Sequence, residues 1–434
     1  MRSCTATSST QATSTQSCEP PPRESPNSIA ADNRTCSMID PHRISTGLDV
    51  FLDDPPPDVR GARLGLLMNQ ASRDRHLRLS CDAIAQRRLG RLTALFSPQH
   101  GLWGVEQANM IESPHSRYEP LDVPVYSLYA ETRQPTAEML EQVDVLLIDL
   151  QDVGTRVYTF AWTMCAALRA CSQYGRPAIV LDRPNPIGGV VVEGPMLSED
   201  HLSFVGGWPI PLRHGLTLGE LARLYVAEAG LDVDLTVLPM RGWRRTMTWS
   251  DTGRQWIWPS PNMPTPTTAA VYPGMVLLEG TNLSEGRGTT RPFEICGAPW
   301  VDGLEWEQKL ADIQGQPWRC LATRFQPTFD KWAGQVCAGV DLQLLDARRS
   351  MSVPLAVALI SLAARTAPQH FRWLDPPYEY ETIKAPIDIL FGDSRLRQFV
   401  DSATGPPTLP EIEHLLQMNR AAWQQRCAPI LLYS

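Results

Sequence analysis

The stretch VDVLLIDLQDVGTRVYTFAWTMCAALRACSQYGRPAIVLD, residues 143–182, decides the fold class. It opens on VDVLLIDL (143–150), an apolar run with no alternation between faces, as in a strand covered on both sides. TFAWTMCAALRACSQYG (159–175) follows with helical spacing and closes on Gly175, a residue suited to the left-handed backbone of a helix cap. PAIVLD (177–182) is a second strand of the same apolar kind. Strand, helix and strand in that succession make a parallel unit with the helix as its crossover.

The same alternation extends in both directions. Upstream lie the strand-like runs RLGLLMN (63–69), RLTALF (91–96) and PVYSLY (124–129), separated by the helix-spaced LRLSCDAIAQRRLG (77–90) and followed by TAEMLEQV (136–143). Downstream, TLGELARLYVAEAG (217–230) carries Thr217 and Glu220 at the spacing of a capping box. DLTVLPM (234–240) and MVLLEG (275–280) read as further strands. The expected fold is α/β: a Rossmann-like, mainly parallel layered domain over 42–285, joined to a second, smaller α/β domain over 286–434. In the latter GVDLQLLD (339–346) reads as a strand. VPLAVALISLAARTA (353–367) reads as a helix, and LPEIEHLLQMNRAAWQQR (409–426) as a terminal amphipathic helix. Residues 1–41 are rich in Ser, Thr and Pro, offer little to pack and are expected to be a disordered tail.

Composition bounds the function. The 434 residues are 43% hydrophobic and 20% charged, with a net charge of −8, ordinary globular usage that supports a sizeable core. Nucleic-acid binding needs a basic face, so this balance argues against a nucleic-acid partner. No apolar run approaches the ~20 residues that span a bilayer as a helix. The N-terminus lacks the apolar stretch of a secretory signal, so a cytoplasmic location is expected for the chain as written, and a periplasmic or secreted one if the start site is misassigned. The ten cysteines form no Cys-x-x-Cys pair, and Cys165 and Cys171 read as small core residues. Glycine-rich nucleotide loops, a G-x-S-x-G elbow and an H-E-x-x-H helix are all missing, so neither a nucleotide cofactor nor a metal is expected.

In open α/β sheets ligands bind beyond the carboxyl ends of the strands. Here those ends lead into SPQHGLWGVEQANM (97–110), QDVGTRVYTF (151–160), RPNPIGG (183–189) and TNLSEGRGTTRPFE (281–294). Asp149, Asp152, Glu106, Glu285, Glu294, His100, Asn185, Asn282, Arg156, Arg183 and Arg287 would ring a cleft suited to a small polar anion, with Arg forking onto a carboxylate. The candidate catalytic groups are Glu285, Asp152, Glu106 and His100. The candidate ligand-binding groups are Gln99, Arg156, Tyr158, Asn185, His214, Asn262, Asn282 and Arg287. Each also has a structural reading. Asp152 and Arg156 suit a local ion pair, His100 and His214 precede turn glycines, and Asn185 and Asn262 lie where Asn bonds its own backbone. Trp243, Trp256 and Trp258 suit sugar stacking less well than packing.

QDVGTRVYTF, PLRHGLTLGEL (211–221), WPSPNMPT (258–265), EGTNLSEGRGTTRPFE (279–294) and GAPW (297–300), in this order and spacing, resemble the exo-β-N-acetylmuramidases of peptidoglycan recycling, once known only as the DUF1343 domain. The likeness runs from about residue 45 to near the end. It implies removal of N-acetylmuramic acid from the non-reducing end of cell-wall fragments, in a cleft that needs neither metal nor nucleotide. The partner would be a peptidoglycan-derived sugar or muropeptide. Glycoside hydrolysis commonly uses two carboxyl groups, and a 2-acetamido sugar can supply its own nucleophile. One departure stands out. Many relatives read Pro-Glu-His-Gly where this chain has Pro98-Gln99-His100-Gly101, and Gln cannot exchange a proton near neutral pH. Either Glu106 takes over, or the family Glu has another task, or the chain is a weakened enzyme. A muropeptide-binding or sensing protein is therefore the rival reading, and a hydrolase of another acidic or acetylated amino sugar is a third.

Overall fold

The computed structural model describes residues 44–107, 110–311, 318–402 and 408–434, and the segment expected as a tail lies outside them. Among the described residues the strands are, in chain order, β1 (Arg63–Met68), β2 (Arg91–Ser97), β3 (Ser116–Tyr118), β4 (Val123–Ser127), β5 (Val145–Asp149) and β6 (Ala178–Leu181). They continue with β7 (Glu193–Met196), β8 (Pro211–Arg213), β9 (Leu235–Leu238), β10 (Ile295–Ala298), β11 (Trp318–Phe325) and β12 (Cys337–Leu344).

Seven of them form the main sheet in the order β3-β4-β2-β1-β5-β6-β9. Every neighbouring pair is parallel except the edge strand β3, which runs antiparallel to β4. Strand order turns back between β1 and β5, so the crevice of this sheet lies at their carboxyl ends.

Side-chain alternation divides the core into two layers. Leu146 and Ile148 of β5 join Phe96 and the helix residues Ala161, Met164 and Leu168 on one face. Leu147 joins Leu66, Leu95, Phe51 and Ile84 on the other. Both faces of β5 are covered, so apolar residues fill every position from Val145 to Ile148, which is why the run reads without alternation.

The local signals act as expected. The helix Phe160–Tyr174 stops at Gly175 with φ of 62°, whose N–H bonds the carbonyl of Cys171. The helix Leu218–Ala229 opens on the reciprocal Thr217–Glu220 capping box. Cys165 and Cys171 are buried free thiols.

Two readings are corrected. MVLLEG is not a strand: Thr265 caps a helix, Pro266–Met275, that runs on into a 3₁₀ turn, Val276–Gly280. The segment is buried on all sides, so its apolar residues show no period that separates strand from helix. The terminal helix is broken into Leu409–Leu415 and Arg420–Cys427, because the Asn419 side chain accepts the N–H of Ala422 at 2.9 Å and starts a new helix there.

The C-terminal part holds a small antiparallel sheet, β10-β12-β11, accompanied by the helices Gly303–Ala311 and Val353–Thr366. By contacts, the described residues belong to one compact unit. None of their helices is long and apolar enough to cross a membrane.

Candidate functional site

A cavity of about 40 Å³ opens where the loops beyond the parallel strands meet the C-terminal part. The loop after β2 brings Gln99 and His100, and the loop after β5 brings Val157 to Phe160. Ser260, Asn262 and Met263 form another side. Val205, Tyr272, Glu279, Arg287, Phe293, Tyr378 and Glu379 complete the lining.

Glu279 sits at the end of the 3₁₀ turn and is buried. Its Oε1 accepts from Arg287 Nη2 at 2.7 Å and its Oε2 accepts from the Tyr378 hydroxyl. Arg287 lies over the Phe293 ring, 5.0 Å from the centroid, and its Nε is 3.2 Å from Glu285 Oε1. Lys331 Nζ in turn donates to Glu285 Oε2 at 2.9 Å and to the carbonyls of Leu278 and Leu283. Burial alone would raise the Glu279 carboxyl. Arg287, the Tyr378 hydroxyl and Lys331 outweigh it and hold that group ionised, below the usual carboxylate range.

Glu379 is the opposite case. It is 3% exposed, and both it and Tyr380 adopt left-handed backbone, at φ of 44° and 68°. Such a conformation is costly for residues with a Cβ and persists where packing imposes it, commonly at functional sites. Its Oε2 accepts from the Tyr129 hydroxyl at 2.9 Å and its Oε1 from Gln99 Nε2 at 3.3 Å. The Gln99 amide is turned this way because its Oε1 accepts from Thr159 Oγ1 at 2.6 Å. Burial raises the Glu379 carboxyl, and the ionised Glu279 raises it further, against the Tyr129 and Gln99 hydrogen bonds. One acidic group of the cavity is thus held charged while the other is biased towards keeping its proton.

His100 also lines the cavity, with φ of 70°. Its Nδ1 lies 2.6 Å from the carbonyl of Glu106, so Nδ1 carries the proton and Nε2 is left as an acceptor. Burial lowers its pKa to about 4, so the ring is neutral at pH 7. Of Glu106 it is the backbone carbonyl that serves the site, and its carboxylate is not part of the lining.

Of the residues singled out by sequence, the cavity brings together Gln99, His100, Tyr158, Asn262 and Arg287. Asn262 also ties its loop to the β2 loop, donating to the carbonyl of Gln107 at 2.9 Å.

The others are set elsewhere. Arg156 is fully buried, and its guanidinium donates to the carbonyls of Pro195, Ile210, Leu390 and Phe391, so it staples two parts of the chain and reads no ligand. It forms no ion pair with Asp152. Asp152 lies behind the lining, accepting the N–H of Gly154 at 2.7 Å, with His214 Nε2 3.8 Å away. The His214 ring is buried and its Nδ1 accepts from Leu216 N–H. Glu285 is the buttress between Arg287 and Lys331, outside the lining. Asn185 bonds the Leu216 carbonyl and the Ile187 N–H, and Asn282 clasps the backbone of His370 and Arg372. Asp149 and Arg183 form a buried bidentate pair, and Glu294 accepts from Thr265, Thr268 and Arg291. Trp243 is buried against Tyr433, Trp256 donates to the Met263 carbonyl, and Trp258 is 51% exposed.

Sequence reading passed over Glu279, Glu379, Tyr129, Tyr272 and Tyr378. Glu279 was hidden inside the segment read as a strand. Tyr378 and Glu379 lie in PPYEYE (376–381), where acid and aromatic residues follow two prolines with no apolar period. A segment of that composition inside a folded chain is a signal for function.

A family model described as exo-beta-N-acetylmuramidase NamZ, N-terminal, matches residues 64–267, and its C-terminal counterpart matches 270–433. The chain belongs to the NamZ family. It is similar to the peptidoglycan beta-N-acetylmuramidase NamZ of Bacillus subtilis (strain 168), with 42% identity over 383 residues, 88% of this chain and 89% of that one. Crystal structures of two DUF1343 family proteins from Bacteroides fragilis NCTC 9343 are also similar. One has a TM-score of 0.81 at 29% identity, covering 91% of this chain and all of that one. The other has a TM-score of 0.69 at 26% identity, covering 90% and 99%. The two NamZ models meet between residues 267 and 270. Gln99, His100, Tyr158 and Asn262 fall in the NamZ N-terminal part. Glu279, Arg287, Tyr378 and Glu379 fall in the C-terminal part, so both parts supply the cavity.

Proposed function

We propose that the chain is a glycoside hydrolase that releases terminal non-reducing N-acetylmuramic acid from peptidoglycan fragments. The carrying observation is the pair of acidic groups in one cavity, Glu279 held ionised and Glu379 biased towards its protonated form. Environments that push the proton affinities of two carboxyl groups apart mark an acid and its counterpart. Glu379 gives its proton to the glycosidic oxygen as the bond to the anomeric carbon breaks; a water then bonds to that carbon and returns its proton to the Glu379 carboxylate. The carboxylate of Glu279 faces the positive charge that develops at the anomeric carbon. Gln99 and Tyr129 position Glu379, and neutral His100 offers Nε2 as an acceptor to a sugar hydroxyl or amide. Membership of the NamZ family, and the name of the Bacillus subtilis relative, support the muramide as substrate. Incubating the protein with a chromogenic N-acetylmuramide and the matching N-acetylglucosaminide tests this. Release from the muramide alone is expected, and release from neither overturns it.

One observation favours a second reading, that of a muropeptide-binding protein with reduced or lost turnover. Position 99 carries an amide where the family motif, as the resemblance implies, has Glu. Tight muramide binding without release in the same assay selects that reading.

A further inference from the structure

If the substrate is an N-acetylmuramide, its lactyl carboxylate needs a cationic partner, and the cavity wall supplies a poor one. Arg287 is committed to Glu279 and Glu285, and an incoming anion there would face Glu279 and Glu379 as well. Arg156, the other expected reader, is enclosed by backbone carbonyls.

A different arginine is linked to Glu379 through the Tyr129 ring. The Arg133 guanidinium carbon lies 4.7 Å from the ring centroid of Tyr129 and 4.3 Å from that of Tyr380. Tyr129 is the residue whose hydroxyl bonds Glu379, and Tyr380 is the next in sequence. Tyr129, Phe204 and Tyr380 pack with ring centroids 5.6–6.0 Å apart, a rigid aromatic corner that fixes the guanidinium plane. Backbone carbonyls of Ala130 and Thr132 hold Nη1, while Nη2 reaches Glu112 at 3.2 Å. The Glu112 side chain is 57% exposed and that of Arg133 27% exposed, so the pair lies towards the surface rather than in the core, joined to the cavity residue Glu379 through Tyr129. An exposed ion pair of this kind is weak and exchangeable.

We propose that Arg133 is the specificity-determining residue of the site, receiving the substrate's lactyl carboxylate in place of the Glu112 side chain. The exchange is carboxylate for carboxylate, so the charge around Arg133 does not change. The planar fork of Arg on its aromatic bed is already oriented to accept it. This inference rests on the muramidase reading, and its test is chosen so that the two can fail separately.

The test is calorimetric titration of the full chain with N-acetylmuramic acid and with its lactyl amide, alongside the chromogenic assay. The parent should prefer the acid. Arg133→Met should weaken the acid roughly ten- to a hundredfold, the size of a lost charge-assisted bond, and the amide by less than about threefold. Glu112→Gln, which removes the competitor, should tighten the acid and leave the amide alone. Matching melting curves for the parent and both variants guard against a folding effect. Equal weakening of acid and amide, or no acid preference in the parent, overturns the proposal. Loss of acid preference in Arg133→Met without chromophore release by the parent keeps the proposal and sinks the activity. Release from the muramide with acid preference untouched by Arg133→Met does the reverse.

Discussion

The Nε2 amide of Gln99 donates to Oε1 of Glu379 at 3.3 Å, across 280 residues of sequence and from one NamZ part to the other. A glutamate at position 99 would set two carboxyl groups within hydrogen-bond reach, and such a pair keeps one proton between them. The amide leaves the proton-exchanging role to Glu379 alone. On this arrangement, position 99 becomes a positioning group rather than a reacting one.

Glu379→Gln should therefore lower turnover of the chromogenic muramide by about 10²–10⁴, the usual contribution of a positioned acid. Affinity for N-acetylmuramic acid and the melting temperature should stay near parental values. The comparison is kcat beside a calorimetric Kd. Near-parental kcat would remove Glu379 from the chemistry.

Gln99→Glu should move the pH dependence without increasing the peak rate. Glu379 already titrates above the usual carboxylate range because it is buried, and it works in its protonated form. Activity should thus fall as pH rises through that titration. A second carboxylate beside it raises the proton affinity of the pair, so the basic limb of kcat/KM should move to higher pH. An unmoved limb would show that the two side chains do not share a proton. A steep gain in peak rate would mean that a glutamate at position 99 is the better acid and that the parent is a weakened enzyme.

What the sequence made legible was the part governed by local physics. Leu146 through Ile148, the Gly175 cap and the Thr217–Glu220 box follow from burial, backbone freedom and short-range hydrogen bonds, and each is where its residue type requires it. The site was legible only in outline, because membership depends on which long-range neighbour arrives. Asp152 and Glu379 look equally eligible as acids in a polar loop, yet one faces His214 behind the wall and the other faces the cavity. Arg156, in the GTRVY loop beside Tyr158, is turned inward by carbonyls from residues 195, 210, 390 and 391. No spacing in the sequence encodes those partners.

Arg156→Met tests that structural role. The substitution leaves the carbonyls of Leu390 and Phe391 without these donors in a buried seam, and each orphaned buried acceptor costs about 1–3 kcal/mol. A large drop in melting temperature is expected. Any protein that folds should keep the parental ratio of muramide to glucosaminide binding. A selective loss of the muramide at parental stability would restore Arg156 as a ligand reader.

Asp152 offers a prediction in the stability alone. Its carboxyl is buried, and burial raises its pKa from 3.8 to about 7, against the N–H groups of Gly154 and Val153 that favour the charged form. In the unfolded chain the group ionises near 3.8, so between about pH 4 and pH 7 folding takes up a proton and stability falls as pH rises. The penalty is absent below that window and complete above it. Asp152→Asn keeps an oxygen for the Gly154 N–H and cannot ionise. The variant should match the parent near pH 4 and gain on it by up to about 1.4 kcal/mol per pH unit across the window, levelling off above pH 7. Denaturant unfolding of both proteins from pH 4 to 8 measures the difference directly. A constant offset at every pH would mean that Asp152 stays charged in the folded protein across the whole range.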